Sequence, residues 1–216
     1  MFVKLTIVAG VAAATLFAQE ETPDHRMRSA ADVVQQLMSA PDAPVDMMSK
    51  ARCVVVIPGL KKGAFLVGGE YGKGYAICRA GAGWGAPAAV TIGGGSFGAQ
   101  LGVESTDVIL LVMNDRGLRH LEQDKVELGG DASVAAGPVG RRAAADTDAS
   151  MRAEMLSYSR SHGVFAGISL DGAVIKRDPG EDRRLYGHDV TTGEVLRGQV
   201  PPPEGANILR SALERR

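Results

Sequence analysis

The chain has 216 residues, enough for one domain with a substantial buried core, and its 24 basic and 25 acidic side chains nearly cancel. That balance excludes the global positive field of a nucleic-acid-binding protein, so attraction to an anionic partner has to come from a local patch. Glycine is frequent at 28 residues and aromatics are scarce at 5%, which favours tight turns and closely approaching strands over a large helical bundle.

The first residues, MFVKLTIVAGVAAATLFAQE, place Lys4 ahead of an apolar run from Leu5 to Ala18 and a polar switch at Gln19–Glu20. The run is shorter than the roughly 20 residues a bilayer span needs, and residues 1–18 read as a secretory signal peptide. An uncleaved anchor is the alternative, because Leu16 is larger than the small residue preferred three positions before a cut. The expected location is periplasmic or secreted, with peripheral attachment to an envelope membrane. Export also bears on Cys53 and Cys78, which read equally as one disulfide in an oxidising compartment or as two buried thiols.

From His25 to Met38, apolar residues recur at three and four positions, predicting an amphipathic helix that Pro41 and Pro44 end. It is expected to pack on its own sheet, with a membrane-lying helix as the weaker reading. VDMMSKA follows as a second short helix. CVVVIP is a β-branched run closed by Pro58–Gly59, and Lys61–Lys62 are expected in the turn beyond it. GAFLVGGEYGKGYAICR reads as strand, glycine bend and strand, with Lys73 in the bend and Arg79 at the end of the second strand. AGAGWGAP reads as a loop and AAVTI as a further strand. VILLVMN is another, followed by the turn NDRG and a short helix LRHLEQD. Arg141–Arg142 come after AAGPVG. HGVFAGISLDGAVIKRD predicts a hairpin about Asp171–Gly172, ending in Lys176–Arg177. The tail from Val190 holds Pro201–Pro203 and a short helix around Leu209 and Leu213. Together these predict an α+β, strand-rich domain built on a largely antiparallel curved sheet, sandwich- or barrel-like, with N-terminal helices and a short C-terminal helix.

Thr91 to Asp115 carries two enzyme outlines. Gly93, Gly95 and Gly98 spell G-x-G-x-x-G, with Asp115 in the place of a ribose-binding acid, and G-x-S-x-G surrounds Ser96. Both motifs demand a helix after the glycines. Instead Phe97, Ala99, Leu101 and Val103 alternate with small and polar residues, the period of a strand. A helix there would also carry Gly98 and Gly102, at about 1 kcal/mol each. The glycines are therefore read as bends and close approaches, GEYGKG lacks the spacing of a phosphate loop, and no His or Cys pair has metal-ligand spacing. No catalytic constellation and no cofactor are indicated.

Several segments together resemble the SYLF domain family. They are ARCVVVIPGLKKGAFLVGGEYGKGYAICR, GWGAPAAVTIGGGSFGAQLGVESTDVILLVMN, VELGGDASVAAGPVGR, YSRSHGVFAGISLDGAVIKRD and RLYG. The resemblance places a SYLF-like domain over residues 25–187 and a tail over residues 188–216. It implies a strand-rich core and a non-enzymatic protein that binds phosphoinositides or other acidic lipids, as family members do. A yeast member also binds actin, a partner from which export would separate this protein, and an envelope protein is the alternative partner. From the residues themselves, the candidate lipid contacts are Lys61, Lys62, Lys73, Arg79, Arg141, Arg142, Lys176 and Arg177. A cation close to an anionic bilayer contributes about 1 kcal/mol, so four to six gathered on one face would suffice.

Overall fold

The computed structural model describes residues 21–41, 43–65, 67–96, 102–139, 152–161 and 163–214. The signal-peptide reading of residues 1–18, the alternation from Phe97 to Leu101 and the Arg141–Arg142 pair lie outside the described residues.

Helix α1 (Pro23–Ser39) begins where Thr22 accepts a hydrogen bond from His25 N, with proline in the first turn where its missing N–H costs nothing. Its apolar stripe, Met27, Ala30, Ala31, Val34 and Leu37, is buried as the periodicity requires. A short α2 (Val45–Lys50) leads into four long strands, β1 (Cys53–Phe65), β2 (Val67–Ala80), β3 (Gly83–Ser96) and β4 (Gly102–Val112). Then come α3 (Asp115–Leu121), β5 (Lys125–Glu127), β6 (Val134–Ala136), β7 (Met155–Ser161), β8 (Val164–Gly167) and β9 (Val174–Arg177). The chain closes with α4 (Pro179–Tyr186), α5 (Thr192–Leu196), a 3₁₀ turn (Glu204–Ala206) and α6 (Asn207–Glu214). The expected α+β class, with helices at both ends of a largely antiparallel sheet, is what the structure shows.

Among the described residues the strands form one sheet in the order β5-β9-β3-β2-β1-β4-β7-β6, with β8 also paired to β7. Only β6 and β7 run parallel. Strands β5 and β6 lie at opposite ends of this path, yet residues 128–133 suffice to join them, and Leu128 pairs with Ala132 in an isolated bridge. The sheet must therefore curl round until its ends nearly meet, giving a half-barrel.

Alternation along the strands then creates two cores. Cys53, Val55, Ile57 and Leu60 of β1 point inward with Val108, Leu110 and Val112 of β4 and Ile175 of β9. Val54 and Val56 point outward with Ile109 and Leu111, under α1, α2 and α6. One end of the interior is stoppered by Leu121 of α3 and by Val195 and Leu196 of α5. Arg197 ties those two helices together through paired contacts of 2.8 and 2.6 Å to Glu122. Cys53 and Cys78 face each other across β1 and β2 and are joined as a disulfide, which decides between the two readings of this pair.

Three local expectations are corrected. Pro58–Gly59 does not end β1. It forms a bulge between Ile57 and Leu60, with Gly59 at φ +61°, and the strand continues. GEYGKG is not a bend but the middle of β2. Gly74 is required there because a Cβ would lie 1.9 Å from Val56 O, where the bulged β1 presses closest. Lys61, Lys62 and Lys73 therefore sit within strands. The Asp171–Gly172 turn is real, with Gly172 at φ +82°, but it does not make a hairpin. Strand β8 pairs with β7, whereas β9 pairs with β3 and β5. Gly93 to Gly95 lie inside β3 and the chain is again strand from Gly102, which removes the long helix that either enzyme motif needs.

Candidate functional site

Residues directly opposite in an antiparallel pair share a face of the sheet. Lys73 of β2 lies opposite Thr91 of β3, Thr91 opposite Lys176 of β9, and Lys176 opposite Lys125 of β5. These four residues form one row across the outer face, about 15 Å wide at the usual strand spacing. In the adjacent row, Lys61 of β1 lies opposite Tyr71 of β2, and Tyr71 opposite Gly93 of β3. Lys61, Lys125 and Lys176 are exposed. The structure thus brings together Lys61, Lys73 and Lys176 from separate strands and adds Lys125, which no motif in the sequence marks.

The other candidates go elsewhere. Lys62 points to the opposite face from Lys61 and pairs with Glu70 at 3.4 Å. Arg177 alternates away from Lys176 and pairs with Asp124 at 3.1 Å. Arg79 is six residues from Lys73, about 20 Å along β2. Its guanidinium lies 4.4 Å above the Trp84 ring and donates to Ala51 O at 3.0 Å and Ser49 O at 3.2 Å, so it secures the start of the sheet.

Lys73 is set by its surroundings. Its Nζ lies 2.9 Å from Asp178 Oδ2. The hydrogen bond to that carboxylate raises the Lys73 pKa, and burial opposes the rise. For Asp178, burial works against ionisation, but Lys73 and the hydrogen bond from Glu181 N outweigh it and hold the carboxyl below its usual range. Below this pair lies a buried polar cluster. Arg26 of α1 and the Tyr75 hydroxyl both donate to Glu181, and Asp182 accepts from Ala89 N at 2.7 Å. Burial pushes the Asp182 carboxyl up to about 7, against the pull of the Ala89 hydrogen bond. Beside Lys61, a polar cleft of about 860 Å³ separates α1 from the sheet. Ser29 and Asp32 form one wall, with Gly59, Ser105 and Asp107 opposite. Asp107 is held there by Gly59 N at 2.9 Å and Arg160 at 3.0 Å.

The model of a family described as Ysc84, Las17-binding protein actin regulator, matches residues 93–216. The chain belongs to the Ysc84 (SYLF) family. It is 37% identical over 191 residues to an SH3 domain-containing protein of Schizosaccharomyces pombe, covering 87% of this chain and 44% of that protein. It is 34% identical over 177 residues to LAS seventeen-binding protein 3 of Saccharomyces cerevisiae, covering 80% of this chain and 38% of the relative. It is 31% identical over 173 residues to human SH3 domain-containing YSC84-like protein 1, covering 79% and 50% respectively. The chain thus spans half or less of the length of these Ysc84 relatives.

The part of the chain matched by the Ysc84 family model includes the tail, which is built into both cores. Val195 and Leu196 enter the interior, and Leu209, Ala212 and Leu213 of α6 pack against α1. Arg210 Nε donates to Trp84 O at 2.8 Å, and Trp84 Nε1 donates to Leu213 O at 3.3 Å.

Proposed function

We propose that this protein binds anionic lipid head groups at a membrane surface, without catalysing a reaction, through the lysine-bearing outer face of its sheet. The observation that carries this reading is the row Lys73, Thr91, Lys176 and Lys125. Lys125 and Lys176 are like charges directly opposite each other, an arrangement that destabilises a sheet unless an anion lies across it. With Lys61 of the adjacent row, the four lysines near an anionic bilayer contribute about 4 kcal/mol together, roughly a thousandfold in affinity. Asp178 beside Lys73 and Glu127 near Lys125 reduce that figure. Phosphoinositides or other acidic lipids are the ligand class, and the leader-like segment at residues 1–18 points to an envelope membrane as the place.

Co-sedimentation with acidic and with neutral vesicles, each at low and high salt, tests the proposal. Pelleting with acidic vesicles that salt weakens is expected, and the paired change Lys125→Glu and Lys176→Glu should lower binding at least tenfold. Absence of pelleting rejects the lipid reading. A second reading follows from the name of LAS seventeen-binding protein 3, which describes a protein that binds another protein. In that reading the same lysines meet an acidic protein surface. Binding to an acidic protein with no pelleting on acidic vesicles would favour it.

A further inference from the structure

We infer that Tyr71 is the residue by which this face penetrates the bilayer interface, an assignment that rests on the lipid reading above. Tyr71 is 53% exposed, although it stands in the middle of a long strand. Lys61 is directly opposite it on β1, and Lys73 is two residues along the same strand on the same face. On its other side Gly93 offers only backbone, and a Cβ built there would lie 3.9 Å from Tyr71 Cδ2. The next pair outward on this face is Gly63 opposite Gly69. A Cβ at Gly63 would meet nothing within 4 Å, and one at Gly69 only Gly94 O at 3.8 Å. The ring therefore rises from bare backbone, with lysine stems beside it.

That combination matches the chemistry of a bilayer boundary. A tyrosine ring is apolar while its hydroxyl stays hydrated, and such rings concentrate at the level of the head groups. Lysine stems lie along apolar surface and carry their ammonium groups outward to phosphate. The positive row beside Tyr71 complements an anionic surface, and Lys125 and Lys176 lie exposed on the same sheet face, which suits an extended lipid plane.

The full chain carrying Tyr71→Trp tests the assignment with phosphatidylcholine–phosphatidylserine vesicles, with and without brominated acyl chains. The introduced indole should shift its emission to the blue on binding and be quenched by the brominated chains. Trp84, only 2% exposed beneath Arg79, serves as the unquenched reference. Tyr71→Ala should weaken vesicle binding about tenfold, while Tyr71→Phe should stay within about twofold. Vesicle pelleting with no quenching of the new indole, or wild-type affinity in Tyr71→Ala, overturns the role of Tyr71 and leaves lipid binding standing. Failure of the unaltered chain to pellet overturns lipid binding itself, and the anchor with it.

Discussion

Asp182 is a carboxylate that its own fold keeps close to neutrality. It ionises near 3.8 in an unfolded chain, and burial between α4 and β3 pushes it up to about 7. Because the folded pKa is the higher one, its contribution to stability is complete below about 3.8 and is lost as pH rises through about 7. Asp178, with its pKa lowered, runs the other way: its contribution is present at neutral pH and is lost under acid. Asp182→Asn keeps an oxygen for Ala89 N and removes the ionisation. The variant should therefore lose most of the slope in thermal stability between pH 5 and 8, and at pH 8 exceed the unaltered protein by about 1–3 kcal/mol. Melting temperatures across that range check this, and an unchanged slope would acquit Asp182. None of this was legible in the sequence, where Asp182 is one acid in a charged run. Lys125 escaped for a related reason. It belongs to a three-residue strand with no periodicity to read, and only the register across β9 gives it a neighbour.

At the scale of elements, glycines that look alike in the sequence do opposite things. Gly74 is fixed by the approach of Val56 O, so Gly74→Ala should cost at least about 3 kcal/mol or prevent folding. Gly63 faces open space, and Gly63→Ala should fall within about 0.5 kcal/mol of the unaltered chain. Urea denaturation of the two variants distinguishes them, and equal costs would contradict the packing described for β1 and β2. Helix α1 was legible because one stripe of apolar residues meets one surface. Lys61–Lys62 and GEYGKG read as turn and bend in the sequence because glycine is rare in strand interiors, and the local signal hides a bulge that forces the chain close to itself. Around Asp171–Gly172 the turn was legible and its strand partners were not. A turn is decided by two residues, whereas pairing depends on strands β3, β5 and β7, far away in the chain.

For the whole molecule, the Cys53–Cys78 bond closes a sequence separation of 25 residues at the stoppered end of the half-barrel. In the chain-entropy account its removal costs about 3–4 kcal/mol. The double change Cys53→Ala and Cys78→Ala should lower the urea midpoint accordingly, and reductant should then have no further effect on the variant. A midpoint equal to that of the oxidised protein would show that the bond adds nothing to stability. The class of fold and the two cysteines were visible beforehand, since both follow from composition and alternation. The curvature was legible as well, but the strand order was not, because it depends on which strands end the sheet.

That curl has a bearing on how the protein behaves when crowded on a surface. Both termini of the strand order are only three residues long, and the turn through Gly129, held at φ +83° against Asp171, leads the chain directly from one to the other. Neighbouring copies would find little unpaired main chain at this seam to extend into a shared ribbon. At high local concentration the molecule is thereby protected, at this seam, against polymerising.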